Sequence, residues 1–213
     1  VDELPLTIGL LVMGYLTGSL PMGVIVARLT GGTDPRTVGS GRTGGTNALR
    51  AMGWGRAITV GLLDVAKGTL PILIARALGA PVEVQALTGV AAVLGAWKSV
   101  FLRFHGGRGV ATGVGGMLAI SPLVCVVAAP AFFIVIAVTR FVSLGSLLGT
   151  AFGAVVVIVF IVAGWLEASW LLYVLPGLAI VWIAHRDNIE RLLAGTERRF
   201  DPGDRQPTPP PVN

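Results

Sequence analysis

Charged side chains are scarce in this chain: of 213 residues, 16 are Lys or Arg and 11 are Asp or Glu. That is about half the share of an ordinary soluble domain, and too little polar cover for a fold of this length in water. Cysteine is almost missing as well. Cys125 alone sits in the apolar run 123–129, which excludes an intrachain disulfide and a cysteine-ligated metal cluster. The histidines, His105 and His185, are too far apart for an HExxH site, so neither a metal nor a cofactor is expected. The sequence has no Walker A loop, no heptads and no solenoid period. Its start, Val1-Asp2-Glu3, lacks the basic region of a secretory signal, so 4–29 is expected to stay as a span. What remains is apolar: hydrophobic residues make up 54%, glycine fills 30 positions, and mean hydropathy is +0.80. Lipid must solvate much of such a chain.

Apolar runs fall at 4–29, 57–79, 82–102, 110–121, 122–139, 141–164 and 168–184. A crossing takes about 20 residues, which suits all except 110–121. The Ser121-Pro122 pair separates that run from the next, because a residue before proline avoids the helical region. Basic residues gather in 30–56 (Arg36, Arg42, Arg50, Arg56), in 98–109 (Lys98, Arg103, Arg108) and after Ala184 (Arg186, Arg191, Arg198, Arg199, Arg205). The net charge of +5 therefore reads as a topology signal rather than as nucleic-acid binding. Keeping all three basic segments on one side requires an even number of crossings between them. The expectation is an all-α integral membrane protein of seven transmembrane helices, N-terminus outside and C-terminus cytoplasmic. Five spans, with 110–121 and a neighbour forming a shallow hairpin, are the alternative. Residues 1–200 read as one membrane domain with cytoplasmic loops 30–56 and 98–109, and 201–213 as a disordered proline-rich tail.

Three polar segments interrupt the apolar pattern, all on the cytoplasmic side. In the first, Gly39-Ser40-Gly41-Arg42-Thr43-Gly44-Gly45-Thr46-Asn47, followed by Arg50, glycines let the backbone approach a ligand, and successive amides can cradle an anion. Ser40, Thr43 and Thr46 add hydroxyls, and Arg42 and Arg50 add charge suited to phosphate. The second, His105-Gly106-Gly107-Arg108-Gly109, opens a short helix, where free amides and the dipole favour phosphate. The third runs from His185 to Glu197; if the helix continues, His185, Asn188 and Leu192 share a face while Asp187 and Glu190 project elsewhere. Each segment could also be an ordinary connector or polar helix end. Asp64 and Lys67, three residues apart inside the second span, can neutralise each other; they are either functional or scaffold. Two phosphate-type loops on one face point to a reaction between two phosphorylated molecules at the membrane surface.

Six short pieces in order carry a family resemblance: Gly18-Ser19-Leu20-Pro21-Met22-Gly23; Gly39-Ser40-Gly41 with Thr46-Asn47 and Arg50; Leu63-Asp64 with Lys67-Gly68; Gly106 to Thr112; Arg140-Phe141-Val142-Ser143-Leu144; and His185 to Glu197. Over about residues 9–200 the chain resembles the bacterial acyl-phosphate:glycerol-3-phosphate acyltransferases, the PlsY family. The resemblance implies a seven-span enzyme of the bacterial inner membrane. It would transfer a fatty acyl group from acyl phosphate to the sn-1 hydroxyl of glycerol 3-phosphate, giving lysophosphatidic acid and phosphate. It implies catalytic roles for Ser40, Arg50, His185 and Asn188. Substrate phosphate would be bound by Gly39, Gly41, Thr46, Asn47, Gly106, Gly107, Arg108 and Gly109, while Asp64, Lys67 and Glu197 would be structural. The expected partners are the two substrates and membrane lipid. The chain departs from the family pattern at Arg42 (usually Asn), Gly45 (Ala), Ala96 (His) and Arg108 (Lys). His185 followed by Glu190 also fits the H-x4-acid spacing of an acyl-CoA-dependent class, but Asn188 and Gly195 do not belong to that pattern. A transporter of a phosphorylated solute and a catalytically inactive homologue are the competing readings.

Overall fold

The computed structural model describes residues 3–201; the tail expected to be disordered lies, from residue 202, outside the described residues. Among them the regular structure is helical: α1 (Glu3–Ser19), α2 (Met22–Leu29), α3 (Gly45–Met52), α4 (Trp54–Ala77), α5 (Val82–Trp97), α6 (Val110–Ile120), α7 (Pro122–Thr139), α8 (Val142–Val162), α9 (Leu171–Ala184) and α10 (Arg186–Leu193). Four helical stretches are long and apolar enough to cross a bilayer: α4, α5 with the turn after it, α7 and α8. Two more candidates are bent pairs, α1 with α2 at 50° and α9 with α10 at 57°, which raises the number to at most 6. Helix α6 has 11 residues and spans about 16 Å, against a hydrocarbon core of about 30 Å. The protein is a multi-pass helical membrane protein. The first apolar run, expected to be one span, is two helices with a break at Leu20-Pro21.

That break has a local cause and a distant remedy. Pro21 has no N–H to continue the ladder, so carbonyls are freed where no lipid can satisfy them. Ser99 Oγ donates to Ser19 O at 2.5 Å, and Lys67 Nζ donates to Leu20 O at 3.0 Å. The lysine is itself paired with Asp64 Oδ1 at 2.8 Å. The ion pair expected inside the second span thus also caps the kink in the first.

Small residues let the helices close up. Gly14 and Gly18 of α1 face Thr88 and Ala92 of α5, and Gly68 of α4 meets the backbone of α6 at Thr112. Where apolar lipid gives no hydrophobic drive, such close backbone approach is the main source of association. The core is a cluster including Ile72, Ala86, Val93, Val157, Phe160, Tyr173 and Val174, contributed by α4, α5, α8 and α9. Helix α7 behaves otherwise. It is apolar all round yet buries only Val124, as expected of a helix whose solvent is lipid. Its packing against α8, where Gly145 and Gly149 meet Ile136 and Phe132, leaves a space bounded by α6, α7, α8 and α9.

Candidate active site

That space is a cavity of about 670 Å³. At one end it is lined by Ser40, Arg42, Arg50, Arg108, His185 and Asn188, and at the other by side chains such as Val114, Met117, Phe132, Phe133 and Leu178. A polar head and an apolar body are joined in one volume.

The first polar segment folds around Asn47. Its amide Nδ2 donates to Pro35 O (2.5 Å), Arg42 O (2.8 Å) and Val38 O (3.0 Å), and its Oδ1 accepts from the Ser40 N–H at 3.2 Å. Asn47 lines the cavity, but its side chain is engaged in holding residues 35–42 in their turn, so a direct hold on phosphate is not what its geometry offers. Gly39 sits at φ 54° and Gly41 at φ 67°. Neither lines the cavity with Ser40, and the Gly41 N–H donates to Val38 O. The residues that border the cavity beyond Ser40 are instead Arg42, Thr43 and those that open α3, namely Gly44, Gly45 and Thr46. The first amides of a helix have no partner within it and carry its positive dipole end.

The second segment corrects an expectation in the same way. The Gly106 N–H donates to Trp97 O at 3.0 Å and the Gly107 N–H to Ala96 O at 2.8 Å. These amides complete the C-terminal carbonyls of α5 rather than standing open to an anion. The departure at Ala96 therefore still supplies the carbonyl that anchors the loop. Gly106 lies against that backbone and does not line the cavity, whereas Gly107, Arg108 and Gly109 do. Gly109, left-handed at φ 77°, turns the chain into α6, whose first residues, Val110 and Ala111, line the cavity. Two helix N-termini, those of α3 and α6, thus converge on one volume, an arrangement that favours anions. Arg42 ties the segments together by donating to Gly106 O at 3.3 Å. His105 stays outside, exposed, its Nδ1 bonded to Arg103 O at 2.6 Å.

In the third segment the helix does not continue but bends at His185, between α9 and α10. His185 is 2% exposed, and its Nδ1 lies 2.8 Å from Val181 O. A carbonyl can only accept, so Nδ1 carries the proton and Nε2 is the ring's acceptor. Burial, reinforced by the Arg108 charge, pushes the imidazole down to about 4. Asn188, 3% exposed, donates through Nδ2 to Glu197 Oε1 at 2.6 Å. That contact sets the amide's orientation, and Asn188 Oδ1 is left without a partner among the described residues. Glu197 also accepts from Ser143 Oγ (2.8 Å) and from Arg191 Nε (2.8 Å), joining α8, α10 and the segment after it. Asp187 was expected to project elsewhere. It does not line the cavity, but its Oδ2 accepts from Arg108 at 3.0 Å and from Arg191 at 3.3 Å. Burial opposes its charge, yet the two arginines outweigh burial and hold the carboxyl below its ordinary range. Glu190 is exposed and does not line the cavity, so the acid of the H-x4-acid spacing is not part of it.

Asp64 and Lys67 border the cavity as a closed ion pair. Arg42, read from the sequence as charge suited to phosphate, lines it; so do Ser143, Arg191 and Arg198, none of which was singled out as a site residue from sequence. Ser143 had a faint signal in the Arg140–Leu144 piece; Arg191 and Arg198 read only as topology charges.

Known proteins share this arrangement at the level of chain and fold. The glycerol-3-phosphate acyltransferase of Thermus thermophilus is 45% identical over 193 residues, covering 89% of this chain and 93% of its own. The crystal structure of PlsY (YgiH), an integral membrane glycerol 3-phosphate acyltransferase, in its glycerol 3-phosphate form superposes with a TM-score of 0.81 at 37% identity, over 92% of this chain and 96% of that one. Its lysophosphatidic acid form gives 0.79 at 35% identity with the same coverage. The glycerol-3-phosphate acyltransferase family profile matches residues 8–195. On that match and these likenesses, the chain belongs to the glycerol-3-phosphate acyltransferase family.

Proposed function

We propose that this acyltransferase takes a fatty acyl group from acyl phosphate and passes it to the sn-1 hydroxyl of glycerol 3-phosphate. The hydroxyl oxygen attacks the acyl carbonyl, the carbonyl carbon–phosphate oxygen bond breaks, and lysophosphatidic acid and phosphate result. One observation carries the reading: an apolar channel that ends at two helix N-termini and a group of arginines in one continuous cavity. A fatty chain fits one end and phosphate the other. An acyl phosphate is a mixed anhydride with a good leaving group, so alignment and fixed positive charge serve it better than a covalent nucleophile.

In this reading Arg50, Arg108 and the helix N-termini hold phosphate, and Ser40 lies beside them as a hydroxyl donor. Asn188 Oδ1 and His185 Nε2, both acceptors, orient the hydroxyls of glycerol 3-phosphate, and the proton of the attacking sn-1 hydroxyl passes to a substrate phosphate oxygen. Glu197 orients Asn188, and Asp64 and Lys67 form the floor. Seven crossings, an outside N-terminus, a cytoplasmic C-terminus and a bacterial inner-membrane location complete the proposal, supported by the arginine distribution. A cysteine placed at Thr208 in a Cys125→Ser background should be shielded from an impermeant reagent in intact cells; labelling from outside would overturn the orientation.

The direct test is purified protein in detergent with long-chain acyl phosphate and glycerol 3-phosphate, assayed for phosphate and lysophosphatidic acid. Product from acyl phosphate and none from acyl-CoA is expected. No product, with uptake of a phosphorylated solute into proteoliposomes, would replace the enzyme by a transporter.

A further inference from the structure

Beside the cavity lies a second chamber of about 500 Å³, lined by Gly39, Arg50, Arg140, Arg198, Arg199, Phe200 and Asp201. Among the described residues, four arginines and one carboxylate line it. Arg50 and Arg198 line both volumes and form the partition, while Arg140 and Arg199 belong to the outer one alone.

The arginines are gathered by a strap, the segment after α10. Glu197 fixes its start through Ser143, Asn188 and Arg191. Arg199 lies over the Phe141 ring at 5.9 Å. The Phe200 N–H donates to Arg140 O at 2.6 Å, and the Phe200 ring meets Trp54 edge-on at 6.4 Å. None of these strap contacts neutralises Arg140 or Arg199. Arg140 itself is left-handed, at φ 62°, directly after α7. Such a backbone is uncommon for a residue with a side chain and persists where its surroundings enforce it. Contacts that supply no counter-charge therefore hold Arg140 and Arg199 beside the turn between α7 and α8, and guanidinium forks match phosphate oxygens.

We propose that this chamber is a second phosphate-monoester site, a waiting position next to the reaction cavity with Arg50 and Arg198 as the shared wall. Its role as a waiting position rests on the acyltransferase reading; the anion site itself does not. The ligand arrives either as a free phosphate monoester or as a lipid headgroup bearing one.

The test uses full-length protein and inorganic phosphate as the probe, titrated calorimetrically in lipid-free detergent. Wild type is expected to bind two phosphates and Arg140→Asn/Arg199→Gln one, with Asn chosen for its tolerance of positive φ. Glycerol 3-phosphate kinetics should show KM raised about tenfold with kcat within about twofold, the pattern of lost uniform binding. Nanodiscs of phosphatidylcholine with and without phosphatidic acid separate the sources. Loss of the second phosphate site when phosphatidic acid is present assigns it to a headgroup, and its persistence assigns it to the free monoester. An unchanged stoichiometry in the double variant overturns the proposal. One phosphate in wild type, lost in the double variant, keeps the chamber and removes the phosphate-binding reading of the cavity. If the double variant binds nothing and has lost its thermal transition, Arg140→Asn alone decides by the same criterion.

Discussion

His185 offers the sharpest discrimination between a general base and a fixed hydrogen-bond acceptor. Its imidazole is buried, donates to Val181 O, and is pushed down to about 4. At pH 6 an imidazole with pKa 4 is about 1% protonated, whereas the ordinary value of about 6.5 would make it about three-quarters protonated. The turnover of the wild-type enzyme should therefore show no ionisation near 6.5 attributable to this ring. His185→Ala should lower kcat by about tenfold to a hundredfold, equal to roughly 1.4–2.7 kcal/mol, because an acceptor in the transition state is lost. It should leave the shape of the profile between pH 6 and 8 as it was. Stability responds with a definite sign. The folded pKa lies below the unfolded one, so between pH 6.5 and 4 the unfolded chain binds more protons. The contribution is present above 6.5 and is lost as pH falls toward 4, on the order of 3 kcal/mol. Thermal unfolding of wild type and His185→Ala in one detergent across that range measures it. A wild-type limb near 6.5 that vanishes in His185→Ala would refute the neutral-acceptor assignment and make the ring a base.

Asp187→Asn should reduce kcat/KM by about three- to tenfold, roughly 1 kcal/mol for a partly exposed pair, because Arg108 and Arg191 lose their shared counter-ion. Unchanged kinetics would return Asp187 to a solvated helix end. Arg50→Ala should remove on the order of 2–4 kcal/mol of transition-state stabilisation, read as kcat/KM for the full reaction. Gly107→Ala has room among its protein neighbours, the nearest atom lying 3.7 Å from the added carbon. It should fold normally and raise KM for a phosphorylated substrate, so wild-type KM would show that no ligand approaches this backbone. Gly153 lines the apolar end and would place a new side chain 3.6 Å from Ala128 Cβ. Gly153→Leu should therefore shift the preference toward shorter acyl phosphates, measured as a ratio of kcat/KM values across chain lengths.

Much of the fold was legible because its causes are local. Scarce charge and long apolar runs require lipid, the Ser121-Pro122 pair separates two helices, and the glycine-rich turn ending at Gly109 opens α6. The glycine-rich segments were legible as turns that open helices beside a polar site. Which of their residues border the cavity was not. The donors expected of Gly106 and Gly107 go to the end of α5, and the first turns of α3 and α6 border the cavity. Local composition marks a loop but not the partner it closes on. The same limit hid Asp187, whose pairing with Arg108 spans 79 residues, and Ser143, which reaches Glu197 across 54. It also hid the arginine chamber, assembled from four separate stretches of chain. By itself the sequence determined the solvent, the helical class and the break before Pro122, since hydropathy and backbone chemistry act within a few residues. The bends at Pro21 and His185 appeared only in the fold. Only the tertiary structure decided which charges neutralise each other and which stay together facing a cavity, because those distances depend on how closely small residues let the helices pack.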